Sequence, residues 1–233
     1  MIIIDNQSSI LFRSDDLNGA TSEILLRTGT RARLNKVVEC NSSNIDKKLE
    51  SFLTSEEYLD YKNIFIVGVT FSRENAELLD KIASENDIKV IYRDHHTESS
   101  HLHKYMWSRI LIWDRNGNEI SSSKNMFREF VGRSSQRYIR LSILVDLVNA
   151  SITSYKPEED IEGSKTIDKL YELAGSPSEF VNNMTEKIMS NDAFFNEADI
   201  LALIEQEKRE EAERQAKLEE LKNQRKKNRN RGF

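Results

Sequence analysis

Ile64-Phe-Ile-Val-Gly-Val69 is an apolar run broken only by a glycine. A strand with one wet face alternates apolar and polar residues, so an unbroken run belongs to a strand covered on both faces, as in a parallel sheet. The residues downstream agree. Ser72 suits an N-cap, Glu74 to Ser84 has helical spacing with Leu78, Leu79 and Ile82 inward, and Lys89-Val-Ile-Tyr92 is the next strand. Upstream, Ile10-Leu-Phe12 reads as a short strand and Asp15-Asp-Leu-Asn-Gly19 as a turn. Ala20 to Arg27 then reads as a helix, and Val37-Val-Glu-Cys40 as a further strand. Strands alternating with helices define an α/β fold with a parallel sheet and crossover helices.

The pattern changes after residue 92. Arg109-Ile-Leu-Ile-Trp-Asp114 is strand-like, and Arg115-Asn-Gly-Asn118 supplies a turn. From Lys124 onward helices are expected at about 124–131, 137–150, 164–174 and 177–190, with Pro157 and Pro177 at boundaries. A last helix starts near Glu197 and carries Glu/Lys and Glu/Arg pairs four apart: Glu205/Arg209, Glu210/Arg214 and Glu213/Lys217. The expected organisation is an α/β domain over 1–155, a helical extension packed on it over 156–196, and a long charged helix with a basic tail over 197–233.

A hydrophobic fraction of 38% beside a charged fraction of 31% fits a folded body with a solvated appendage. The single cysteine, Cys40, excludes an internal disulfide framework and a cysteine-built zinc site, and fits a reducing compartment. No stretch approaches the roughly 20 apolar residues of a membrane helix, and Met1-Ile-Ile-Ile reads as a short strand, so a cytoplasmic protein without membrane contact is expected. For a viral or mobile-element protein that compartment is the host cytoplasm. Lys222, Arg225, Lys226, Lys227, Arg229 and Arg231 form a tail without an acid, so the body is more acidic than the net charge of −5 suggests. Such a tail suits nucleic acid or an acidic protein surface, or simply solubilises a helix end.

Ligands of parallel sheets lie beyond the carboxyl ends of the strands. Three expected strands end in candidate residues: Arg13-Ser14-Asp15-Asp16, Gly68, and Arg93-Asp94-His95-His96. With these placed, the chain resembles the DHH phosphoesterases, nearest their oligoribonuclease (nanoRNase) branch, from about residue 10 to 205. Ser14-Asp15-Asp16-Leu17-Asn18-Gly19 aligns with the family's first acidic turn, Gly68 with its next acid, and Asp94-His95-His96 with the signature. Ile152, or loosely Asp146, stands at the last acid. Ser121 to Phe130 matches the helix after the signature.

The resemblance implies hydrolysis of a phosphodiester on two divalent ions, manganese or magnesium. The substitutions argue against it. Ser14 and Asn18 are neutral, Gly68 has no side chain, and Asp16, Asp94, His95 and His96 remain. Two adjacent cations need several carboxylates to offset their repulsion. Asp16, Asp94 and His95 could hold at most one weakly bound ion. The family's second, substrate-gripping domain is also not expected in this sequence. The implied function is a catalytically inactive DHH-fold module, without cofactor, for binding, regulation or assembly. A protein partner would be met through the last helix and nucleic acid through the basic tail. The competing reading is a manganese- or magnesium-dependent phosphodiesterase on short oligonucleotides or cyclic dinucleotides.

Other patterns each admit two readings. All four histidines fall between 95 and 103, and His101 and His103 would share a face of an extended segment, as in a relocated metal site; the plainer reading is loop residues. Arg93, Lys104 and Arg109 interleave with Tyr105 and Trp107, a mix that can stack bases and pair phosphates, against the plainer reading of core aromatics with solvated cations. Arg133, Arg137 and Arg140 could meet an anion or form a solvated face. Ser14 as a nucleophile would need His95 or His96 as its base.

Overall fold

The computed structural model describes residues 6–154, 157, 161–195 and 197–229. The chain divides into two compact units, Met1–Asp192 and Ala193–Phe233. In the first, strands β1 (Ser8–Ser14), β2 (Arg33–Cys40), β3 (Asn63–Val67), β4 (Lys89–Asp94) and β5 (Ser108–Ile110) form one parallel sheet in the order β2-β1-β3-β4-β5. Helices α1 (Leu17–Gly29), α2 (Ile45–Thr54) and α3 (Arg73–Asn86) make the crossovers. From β1 the chain moves to β2, then jumps back across β1 to β3. The loops therefore part between β1 and β3, the switch point where a crevice opens at the strand ends.

The deciding run lies at the centre: Ile64, Phe65, Ile66 and Val67 are all fully buried. Each such side chain contributes roughly 1.5–3 kcal/mol of burial. On one face Ile10, Phe12, Ile64, Ile66, Val90 and Tyr92 pack with Leu49 and Phe52 of α2 and Leu79 and Ile82 of α3. On the other, Phe65 meets Phe130 edge-on at 6.4 Å, beneath α1, α4 (Ser122–Phe130), α5 (Tyr138–Ile152) and α7 (Pro177–Ser190). Helix α6 (Ile161–Leu173) packs on α5. The edge strand β2 exposes Arg33, Asn35 and Lys36, charges and amides that discourage a foreign strand.

Several expectations shift. Asp15–Gly19 is no free turn: Asp16 caps α1, which begins at Leu17. A Cβ on Gly19 would stand 2.0 Å from the Ser14 carbonyl oxygen, so only glycine lets the helix start this close to the strand end. The strand expected to reach Asp114 stops at Ile110 because β4, its partner, ends at Asp94 and the last bond is Leu111 N–H to the Asp94 carbonyl at 3.0 Å. The chain then folds back on itself. Ile120 N–H donates to the Ile112 carbonyl at 2.9 Å, and Trp113 bridges Glu119 around the expected Asn-Gly turn, where Gly117 takes φ +79°. His101 and His103 lie in a 3-10 segment (Thr97–Lys104), not in an extended one. Ser72 caps α3 as expected, its hydroxyl accepting from Asn75 N–H at 3.3 Å.

The second unit is described through α8 (Glu197–Arg229), a 33-residue helix. Arg209 meets Glu205 at 2.6 Å, one of the three expected pairs. By itself the helix exposes Leu201, Ile204 and Leu218. The side chains of Lys222, Arg225, Lys226, Lys227 and Arg229, all of Arg231, and the start at Met1–Ile4 lie outside the described residues. No helix among the described residues is long and apolar enough to cross a membrane.

Candidate functional site at the strand ends

Strand β4 delivers Asp94 as its last residue, fully buried. Burial alone would keep a carboxyl neutral; here donors outweigh it. Oδ2 accepts from the Tyr92 hydroxyl at 2.8 Å and from the Ser99 hydroxyl. Oδ1 accepts from His95 N–H at 2.8 Å and pairs with His96 Nδ1 at 2.8 Å. Burial is the largest single effect and opposes ionisation, but hydrogen bonds from His95 and His96, the charge of His96 and the Ser99 hydroxyl together hold the Asp94 carboxyl far below the usual carboxylate range. The bond to Asp94 raises the His96 imidazole above its ordinary value, against partial burial. Burial, then the Asp94 charge, push the Tyr92 phenol well up. His95 Nδ1 pairs with the Ser122 hydroxyl at 2.8 Å, which ties the signature to the first turn of α4. The two imidazole rings lie 4.0 Å apart between centroids.

Across the switch point the ends of β1 and β3 are neutral and tight. The Ser14 hydroxyl donates to Asp16 Oδ1 at 2.6 Å, so it is not poised on a histidine as a nucleophile would be. Asp16 also accepts from Gly19 N–H at 2.8 Å, and its role is that of an N-cap. Asn18, buried, accepts from Ser123 N–H at 2.9 Å and so joins α1 to α4; its Nδ2 has no hydrogen-bond partner. Gly68 has φ +70°, and a Cβ there would stand 2.9 Å from Ser14 Oγ and 3.3 Å from Asn18 Nδ2. From α6, the Tyr171 hydroxyl donates to the Asp15 carbonyl at 2.8 Å; burial and then the Asp16 charge push this phenol up to about 12.

Ligand atoms of Asp94, His95 and His96 come within 4.8 Å of one another, and this is the group of possible metal ligands found among the described residues. His96 takes the place that the sequence reading gave Asp16. The residues do not fit a pair of divalent ions. Apart from Asp16, already engaged by Ser14 and Gly19, the positions Ser14, Asn18 and Gly68 offer neutral or absent side chains, and both oxygens of Asp94 already accept from the protein. Of the loosely aligned last-acid positions, Asp146 is paired with Lys124 at 3.0 Å and Ile152 ends α5.

The other expected contact residues are dispersed. Arg93 is a core residue rather than a surface cation: it is buried, pairs with Glu129 at 2.5 and 2.8 Å, and lies over the Phe130 ring. Lys104 is exposed and meets Glu77 at 3.3 Å. Arg109 is exposed, with Glu129 at 3.5 Å. Tyr105 and Trp107 stack on each other at 4.6 Å within the core cluster, so the plainer reading of these aromatics is what the structure has. His101 Nε2 pairs with the Phe71 carbonyl at 2.8 Å, away from the other imidazoles. Arg140 donates to the Lys187 carbonyl at 3.0 Å at the end of α7. Sequence reading missed Tyr92, Ser99, Ser122 and Tyr171. Tyr92 was within reach, because residues two apart on a strand share a face.

No protein-family model matches the chain, and no curated protein matches it in sequence. Among solved structures, an uncharacterised protein from Helicobacter pylori G27 superposes with a TM-score of 0.61 at 13% identity, over 83% of this chain. This chain spans 60% of the length of that protein. Exonuclease RecJ bound to manganese gives a TM-score of 0.45 at 16% identity over 91% of this chain and 63% of its own length. RecJ from Thermus thermophilus in complex with Mn2+ gives 0.43 at 16% identity over 91% of this chain and 36% of its own length. At that level the two RecJ superpositions carry no argument. What the likeness to the H. pylori protein shows is the fold, an α/β domain around a five-stranded parallel sheet.

Proposed function

We propose that the chain is a DHH-type phosphoesterase fold kept for binding rather than hydrolysis. One observation carries this reading: at the switch point, three positions where the resembled family has metal ligands are Ser14, Asn18 and Gly68, neutral or without a side chain, and a side chain at Gly68, already strained at φ +70°, would press on Ser14 Oγ. Two divalent ions a few ångströms apart repel strongly, and Asp16 and Asp94 alone do not offset that repulsion. In its place stands a hydrogen-bonded knot of Asp94, His95, His96, Ser99 and Ser122 that orders the strand ends. The partner is a protein met through the long α8 or a nucleic acid met through the basic tail after Lys222. Incubation with dinucleotides and cyclic dinucleotides in manganese or magnesium tests the reading. No release of mononucleotide is expected; turnover abolished by Asp94→Ala would sink it.

A second reading has its own support in the convergence of Asp94, His95 and His96. One ion on this group would make a single-metal phosphodiesterase. In that case His95→Ala, at the rim of the knot, removes both one equivalent of bound manganese and the turnover.

A further inference from the structure

We propose that the cavity beside β5 is a nucleotide-binding site, in which Trp113 stacks on the base and Arg109, Arg115 and Arg128 hold the phosphate. The cavity lies off the edge strand, between the hairpin that follows β5 and helix α4, and measures about 560 Å³. That volume suits a small ligand. None of its lining residues belongs to the strand-end site, so the proposal holds whether or not that site is catalytic.

Charge favours an anion here. Arg109 approaches Glu129 at 3.5 Å, but that carboxylate is already held by two N–H groups of Arg93 at 2.5 and 2.8 Å. Arg128 meets Asp114 Oδ2 at 3.2 Å, while Asp114 Oδ1 accepts from the N–H groups of Asn116 at 2.9 Å and Asn118 at 3.0 Å. Arg115 is exposed on the turn. Three guanidinium groups thus line a cavity whose two carboxylates are shared with other donors. The guanidinium fork matches phosphate oxygens two at a time.

A further observation points past a bare anion. Trp113 is 56% exposed, yet its backbone is fixed by the bridge to Glu119, which makes it a ready plate for a flat ring. Phosphate alone, or an acidic peptide, would use the arginines and leave Trp113 idle. A free mononucleotide and one unit of a single strand share the chemistry required.

The test is titration of the full chain with AMP, with a 5′-phosphorylated hexathymidylate and with inorganic phosphate, followed by tryptophan fluorescence and calorimetry. AMP or the oligonucleotide should bind saturably and quench fluorescence, with phosphate at least about tenfold weaker. Binding of AMP assigns a free nucleotide, and binding of the oligonucleotide alone assigns a strand. Arg109→Ala and Arg115→Ala should each weaken binding by about tenfold, and Trp113→Leu by a similar factor with loss of quenching, which Trp113→Phe restores in affinity. All three positions are exposed, so the fold tolerates these changes. Three results would overturn the proposal: no binding of either ligand at millimolar concentration, phosphate binding as tightly as AMP, or affinities that ignore Arg109→Ala and Trp113→Leu.

Discussion

The end of β4 and the ends of β1 and β3 lie side by side on one edge of the sheet and are built in opposite ways. At the end of β4 an ionised carboxylate is fully buried and saturated by donors, so its charge is stabilised by the protein alone. After β1, Asp15 and Asp16 are exposed, and Asp16 caps α1. Neutral side chains pack against a glycine whose conformation strains any side chain and whose neighbours, Ser14 and Asn18, would have to shift for one. On the proposed reading, an acid introduced at Gly68 must find space as well as a cation.

Substitutions can break or sharpen that contrast. The largest effect is expected at Asp94. Asp94→Asn sets an amide against several donors and strips His96 of its counter-charge, and should cost about 4 kcal/mol in urea unfolding. Next comes Gly68→Asp, which introduces an acid where the resembled family has one. A side chain at φ +70° in contact with Ser14 should cost about 3 kcal/mol, with no gain in manganese affinity; a stable variant that binds manganese would show that room exists. Asn18→Asp is milder. The bond from Ser123 N–H survives, but a carboxyl buried there has one donor and no counter-charge, so stability at neutral pH should fall by about 2 kcal/mol and recover as pH is lowered and the group is protonated.

The smallest effect is the pH dependence of His96. Its folded value is raised above the ordinary 6.5 by the bond to Asp94, so its contribution is complete below pH 6.5 and fades as pH rises through the folded value. The melting temperature should fall slightly over that interval, and His96→Gln should flatten the slope.

Much of the sheet was legible in the chain, because Ile64–Val67 and Val90–Tyr92 are apolar enough to force burial and Ser72 marks its own helix. The first half of β2 was not: Arg33, Asn35 and Lys36 lie on an exposed edge, where pairing leaves no apolar signature. Arg93 misled because, grouped with Lys104 and Arg109 among aromatics, it reads as a contact cation. Its burial rests on Glu129, 36 residues away, and on the Tyr92 and Trp107 carbonyls. At the site, the identities of Asp16, Asp94, His95 and His96 could be read, but not their division of labour. That Asp16 caps a helix while His96 joins Asp94 depends on where α1 begins. The bond from Asn18 to Ser123 spans 105 positions and has no local signal.

The most direct test is calorimetric titration of the full chain with manganese at neutral pH, with Asp94→Asn as the control. The account predicts no more than one weakly bound ion per chain. Two ions bound per chain, both lost in Asp94→Asn, would contradict it.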